Sequence, residues 1–176
     1  MSEPARLLGL PPLVDQRSRI LVLGSFPSVK SLESGRYYGN PLNHFWKLLS
    51  LARNSPPAAW EDYPALVEWA LAEGLAIWDT IAECQRPGSL DVAIRQARSN
   101  DIASFIRQWP QIRRIILNGG SAYRIFQRQI AASLEGLGIE VFPLPSSSPI
   151  PSRDYRRLTD KLPLWSAALD LETLPK

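Results

Sequence analysis

One short stretch, Gly24 to Trp46, concentrates the side chains of this chain that could do chemistry. It opens with Gly24-Ser25-Phe26-Pro27-Ser28, continues to Tyr37 and Tyr38, and then offers Asn40, Pro41 and Asn43. Small residues and a proline favour a tight turn and leave backbone N–H groups open to a ligand. The tyrosines supply aromatic faces, and the asparagines supply paired donor and acceptor groups. Together they suit the holding of a flat polar ring at the edge of a sheet. An amide cannot take a proton at neutral pH. Either asparagine, Asn43 or Asn40, could therefore serve a bound ligand only by orienting it or a water and by its dipole. A carboxyl, Asp79, follows the apolar run Leu75–Trp78. His44 is the only histidine; on a helix it points in a different direction from Asn43 and Phe45, and it need not face the same ligand. Lys30 reads as an ordinary solvated lysine.

The flanking segments must position these groups. Four apolar runs read as strands: Arg19–Gly24, Leu75–Trp78, Arg113–Leu117 and Ile139–Leu144. Helices are expected between them: Asn43–Arg53 with Pro41 at its first turn, Tyr63–Glu73, Asp101–Trp109 capped by Asn100, Ser121–Leu134, and Arg153–Leu169 kinked at Pro163. Asn54-Ser-Pro-Pro, Gly74 and Gly136 supply stops. The stretch Glu83–Ser99 reads as loop with a short helix after Ser89. Strands alternating with helices imply an α/β fold of three layers, α/β/α, around a central four-stranded parallel sheet. Ligand-binding loops of such sheets gather at the carboxyl ends of the strands. Residues 1–18 read as a Pro-rich arm packed loosely over the body, and 19–176 as one domain.

Composition narrows the class. The chain has 176 residues, 45% of them apolar, enough for one ordinary core. No apolar run approaches the ~20 residues of a membrane span, and the first residues lack a signal-peptide pattern. With one cysteine, Cys84, neither an internal disulfide nor a four-cysteine iron–sulfur cluster is expected. A cytoplasmic, nucleoid-associated location and a monomeric state are the expectations. The net charge is +3, and 16 of the 20 cationic residues are arginine. Ten arginines against four acids lie between Arg95 and Arg157. That imbalance favours contact with a polyanion, because the guanidinium fork suits phosphate.

The Gly24–Trp46 segment resembles the uracil-DNA glycosylase superfamily, and most nearly its hypoxanthine-DNA (deoxyinosine) glycosylase branch. The resemblance is carried by Gly-Ser-Phe-Pro-Ser, Tyr-Tyr-Gly-Asn-Pro-Leu-Asn-His-Phe-Trp, Leu75–Asp79, Gly88-Ser-Leu-Asp91, Ile116-Leu-Asn-Gly-Gly120 and Leu144-Pro-Ser-Ser-Ser-Pro149, in that order along the chain. It implies a monofunctional enzyme with no metal or organic cofactor. Such an enzyme flips a base from DNA and hydrolyses its N-glycosidic bond.

The resemblance also implies roles. Tyr38 aligns with an aromatic residue that stacks on the flipped base. Ser25, Phe26 and Asp79 lie at the base itself, Asp79 aligning with an asparagine that reads the edge of uracil. Phe26 stands where the mismatch-specific branch carries its catalytic asparagine, and Leu144 where the main branch carries a catalytic histidine. Both usual groups are missing, so the work falls to Asn43, with Asn40 second. Ser146, Ser147, Ser148 and Pro149 match a loop that grips the DNA backbone; Pro149 and Ile150 could act as a wedge. Arg153, Arg156 and Arg157, on the helix expected next, would add charge. Uracil or G·U/T mismatch excision by the same fold is the alternative. A non-catalytic nucleic-acid module is a third reading, which the presence of Asn43 and Asn40 opposes.

Overall fold

The computed structural model describes residues 5–175; the first residues of the expected arm lie outside that range. Its centre is a sheet of four parallel strands: β2 (Ile20–Gly24), β3 (Leu75–Asp79), β6 (Arg114–Asn118) and β7 (Glu140–Leu144). They lie in the order β3-β2-β6-β7. The strand alternation sorts side chains to two cores. Ile20, Val22, Leu75, Ile77 and Ile116 face helices α2 (Phe45–Arg53), α3 (Tyr63–Ala72) and α6 (Leu158–Ala168) through Phe45, Leu48, Leu66 and Trp165. Leu21, Leu23, Ala76, Ile115 and Leu117 face α4 (Ile102–Gln108) and α5 (Gly120–Gln129) through Phe105, Ile106 and Phe126. The three-layer expectation therefore holds, with both faces of the sheet covered.

Several local expectations are corrected. The segment expected as a loose arm contains β1 (Arg6–Leu8), which pairs antiparallel with β4 (Ile81–Gln85). Leu13 then bridges to Ile77, exchanging backbone bonds of 2.8 and 2.9 Å. The stretch Glu83–Ser99 has the short helix expected after Ser89, as a turn of 3-10 helix at Asp91–Ala93, but in place of loop it carries the end of β4 and β5 (Arg95–Ser99). Strands β1, β4 and β5 form a second, antiparallel sheet. Its register shifts between β4 and β5 break the plain alternation that would have betrayed it. A short helix, α1 (Val29–Ser34), starts at Ser28, whose hydroxyl accepts from Ser31 N–H. Helix α2 begins at Phe45 rather than at Asn43, and Pro41 lies outside it, in a turn at residues 41–42. Asp101, not Asn100, caps α4 through Ser104 N–H at 3.0 Å. Helix α6 begins at Leu158, so Arg153, Arg156 and Arg157 sit in the loop ahead of it, and the helix runs on through Pro163.

Arg114 does not belong to the basic surface. It is 1% exposed. Its guanidinium binds Glu140 at 2.7 and 2.9 Å and donates to the carbonyls of Ala168, Asp170 and Thr173. It thereby ties the chain after α6 to the amino end of the sheet, away from the functional loops. Arg114→Met leaves Glu140 and three carbonyls without this donor. Urea unfolding should show a loss of about 1–3 kcal/mol, the cost of leaving buried carbonyls without their donor, since Glu140 is part-exposed and can turn to water.

Candidate active site

The loops after β2, β3, β6 and β7 converge on a pocket of about 360 Å³ at the carboxyl edge of the parallel sheet. That volume is ample for one nucleobase. Ser25, Phe26, Tyr38, Asn40, Asn43, Asp79, Ser146, Ser147, Ser148 and Pro149 all contribute to its wall. Arg153, Arg156 and Arg157 do not; they are exposed on the loop beyond.

Gly24 ends β2 opposite Asp79 on β3. A Cβ there would lie 2.4 Å from Asp79 Oδ1 and 3.0 Å from the Tyr38 hydroxyl. The missing side chain is what lets a carboxyl and a phenol close over the strand end. Beyond it, the N–H groups of Ser25 and Phe26 donate to no acceptor among the described residues. Phe26 turns its ring down into a small cluster with Ile81 and Cys84, under the Arg86 guanidinium at 5.0 Å.

Asp79 is 4% exposed, and its Oδ2 is fully buried without a hydrogen-bond partner. It accepts nothing from the backbone after it: Thr80 N–H goes to Gly24 and Ile81 N–H to Ser25. Burial, reinforced by the nearby Asp91 carboxylate and opposed by Arg86, pushes its pKa up to about 7. This is an acceptor held ready at the pocket floor with nothing to accept from.

Tyr38 has φ of +52° and lies flat on Phe45, ring centroids 3.6 Å apart. Its hydroxyl accepts from Asn118 Nδ2 at 3.0 Å. Burial and the Asp79 charge raise its pKa, so the phenol stays neutral. The same Asn118 amide donates to Ser147 Oγ at 2.9 Å and accepts from Ser147 N–H at 2.8 Å. The Ser147 carbonyl accepts from His44 N–H. Ser147 is thus a buried structural residue, contrary to its expected phosphate role, which leaves that part to Ser146 and Ser148. Gly119 lets the loop close, since a Cβ would stand 2.9 Å from that of Ser146. Lys161 Nζ donates to the Ser148 carbonyl at 2.8 Å and Trp165 Nε1 to that of Pro145 at 3.0 Å. Ile150 is left 65% exposed at the rim.

Both candidate catalytic amides use their oxygens locally. Asn43 Oδ1 accepts from Phe45 N–H at 2.9 Å and Asn40 Oδ1 from Leu42 N–H at 3.1 Å. His44 lies outside the pocket wall, and burial with Lys161 and Lys47 nearby lowers its pKa. The residues missed in the sequence are Asn118, Asp91, Arg86 and Lys161. The first two stand inside the motifs Ile-Leu-Asn-Gly-Gly and Gly-Ser-Leu-Asp, which carried signal without a role. The other two are cations, Arg86 in the stretch read as loop and Lys161 on the final helix, to which no role was given.

The family model of the uracil DNA glycosylase superfamily matches residues 11–168. The chain is 33% identical over 142 residues to the hypoxanthine DNA glycosylase of Methanosarcina acetivorans, covering 80% of this chain and 85% of that one. It is 27% identical over 160 residues to the hypoxanthine DNA glycosylase of Methanosarcina barkeri, covering 91% and 96%. A solution NMR structure of a Methanosarcina acetivorans protein superimposes with a TM-score of 0.78 at 30% identity, over 94% of this chain and 97% of that one.

The buried carboxyl ties stability to pH. A folded-state pKa raised to about 7 means the native state holds the proton more tightly than the unfolded chain. The resulting stabilisation is complete below about pH 4 and is lost as pH rises through 7. Unfolding free energies of the wild type minus Asp79→Asn should therefore fall by up to roughly 4 kcal/mol between pH 4 and pH 8. A flat difference would mean the carboxyl is not buried alone. Gly24→Ala should keep the sheet yet disturb both Asp79 and Tyr38, abolishing excision in a variant whose far-UV circular dichroism is native.

Proposed function

The chain belongs to the uracil DNA glycosylase superfamily, and from that premise we propose that it removes hypoxanthine, the deaminated form of adenine, from DNA. It is a DNA glycosylase for deaminated bases. The base is flipped out of the duplex into the pocket, and water replaces it at C1′. The observation that carries the choice of base is Asp79. A buried acceptor without a partner favours a base edge with a hydrogen to give. Hypoxanthine offers N1–H beside a carbonyl at C6. Adenine has no hydrogen at N1 and would face the ionised carboxyl lone pair to lone pair. The free N–H groups of Ser25 and Phe26 are suited to take up charge gathering on the departing base, offsetting the anion beside it.

Tyr38, braced on Phe45 and part of the pocket wall, offers the base a ring to stack on, an interaction worth ~1–3 kcal/mol. Asn43 and Asn40 lend amide dipoles to the oxocarbenium-like transition state from the wall. Ser146, Ser148 and Pro149 meet the DNA backbone, Ile150 fills the vacated stack, and Arg153, Arg156 and Arg157 add sequence-independent charge contacts. Uracil is the second reading, because its N3–H lies beside a carbonyl in the same arrangement.

Duplexes carrying hypoxanthine, uracil, xanthine or thymine opposite each normal base, scored for abasic sites, test the assignment. Hypoxanthine should be cut fastest. Asp79→Ala should slow its excision ~10–100-fold and narrow the margin over adenine, the consequence of leaving N1–H unpaired. Normal excision by Asp79→Ala would make the residue structural. Asn43→Ala should lower the single-turnover rate ~10²-fold with little change in DNA affinity. It should also cost about 1 kcal/mol of stability through the lost bond to Phe45 N–H.

A further inference from the structure

A second carboxyl shares the pocket with Asp79, and base reading leaves it without a task. Asp91 Oδ2 accepts from Ser25 Oγ at 2.7 Å. Two more bonds fix the same segment to the first loop: Val29 N–H to Ser89 Oγ at 2.9 Å, and the Arg86 guanidinium to the Pro27 carbonyl. Residues 86–91 are thus stitched onto residues 25–29, and a half-buried carboxylate is held at the end of β2. Asp91 Oδ1 accepts no hydrogen bond from the described residues.

Hydrolysis needs an acceptor for the proton of the attacking water. Each amide oxygen lining the pocket already accepts a backbone N–H: Asn40 from Leu42, Asn43 from Phe45, Asn118 from Ser147. Asp79 lies at the floor, against the base edge. No Lys, Arg or His among the described residues lines the pocket, so the wall carries two carboxyls and no cation. Such a wall favours positive charge developing on the sugar.

We propose that Asp91 is a catalytic residue whose free Oδ1 holds the water that attacks C1′ and whose charge stabilises the oxocarbenium ion, with Ser25 as its positioning residue. The assignment rests on the glycosylase reading above. For hypoxanthine, the C1′–N9 bond breaks and its electron pair leaves on the purine. The water oxygen bonds to C1′, and the proton it releases passes to Asp91 and on to solvent. The purine anion takes one proton from solvent. One water is consumed, and free hypoxanthine and an abasic deoxyribose are formed.

The test is single-turnover excision from a hypoxanthine duplex, with affinity measured on a duplex whose 2′-fluorinated deoxyinosine resists cleavage. Asp91→Asn should be slower by ~10²-fold or more, the usual worth of a positioned base. Its affinity should stay within about threefold of wild type. Ser25→Ala should slow the chemistry less, also at unchanged affinity. Azide, a nucleophile with no proton to lose, should accelerate Asp91→Ala and give an azido sugar in place of the abasic product. An Asp91→Asn rate close to wild type overturns the assignment. So does a rate loss matched by lost affinity, or an Asp91→Ala variant indifferent to azide. Should the Asp91 variants fail to fold, Ser25→Ala decides, and a normal rate there overturns it. A wild type inactive on every lesion duplex removes the glycosylase reading and this one together; an active wild type with an unaffected Asp91→Asn removes this one alone.

Discussion

One amide holds the active site together. Asn118 ends β6 at the middle of the parallel sheet, and its side chain makes three hydrogen bonds in a buried position. One reaches the Tyr38 hydroxyl, which belongs to the loop after β2. The other two hold Ser147, in the loop after β7. Loops far apart in sequence are thereby set relative to each other by a residue that the strand register fixes. Each bond is worth ~1 kcal/mol in isolation, but losing the amide would strand several buried partners at once. The Tyr38 ring, the closed final loop and the depth of the pocket all follow from this contact and from the bare Cα of Gly24 beside it.

Polar burial is resolved in opposite ways at the two ends of the sheet. At the amino end Arg114 is saturated, with a carboxylate and three carbonyls around one guanidinium. At the carboxyl end Asp79 Oδ2 and the Nε and Nη1 of Arg86 are buried without partners. Unpaired buried charge is destabilising, and it persists where a ligand can complete it. The asymmetry separates the end that holds the fold from the end that meets substrate. The buried core on both faces of the sheet offsets what the site costs.

The parallel sheet was legible because β2, β3 and most of β6, buried on both faces, read as apolar runs bounded by Gly, Asn and Pro, with the part-exposed edge strand β7 following from the alternation with helices. The positions of Tyr38, Asp79, Asn40 and Asn43 around one pocket followed from their places after those strands. The second sheet was not legible. Strand β5 is Arg-Gln-Ala-Arg-Ser, a polar edge whose pairing with β4 is irregular, and periodicity carries no signal there. With it went the reason Asp91 matters, since only the stitching of residues 86–91 onto the first loop brings that carboxyl to the pocket. The arginine count misled at Arg114 for a related cause: composition cannot tell a guanidinium in water from one buried against Glu140. Ser147 looked like a phosphate ligand because a Ser-Ser-Ser run does not reveal which hydroxyl faces inward.

The central claim is that the Asp79 carboxyl waits for a base that donates a hydrogen. Carbon-13 NMR of that carboxyl measures it most directly, titrated in the free protein and in complex with a duplex bearing an uncleavable deoxyinosine. The free carboxyl should titrate at about 7. In the complex it should titrate well below that, because an N–H donated to the charged form favours it. A carboxyl that titrates in the ordinary aspartate range when free, or whose titration is the same with and without the deoxyinosine duplex, would contradict the account.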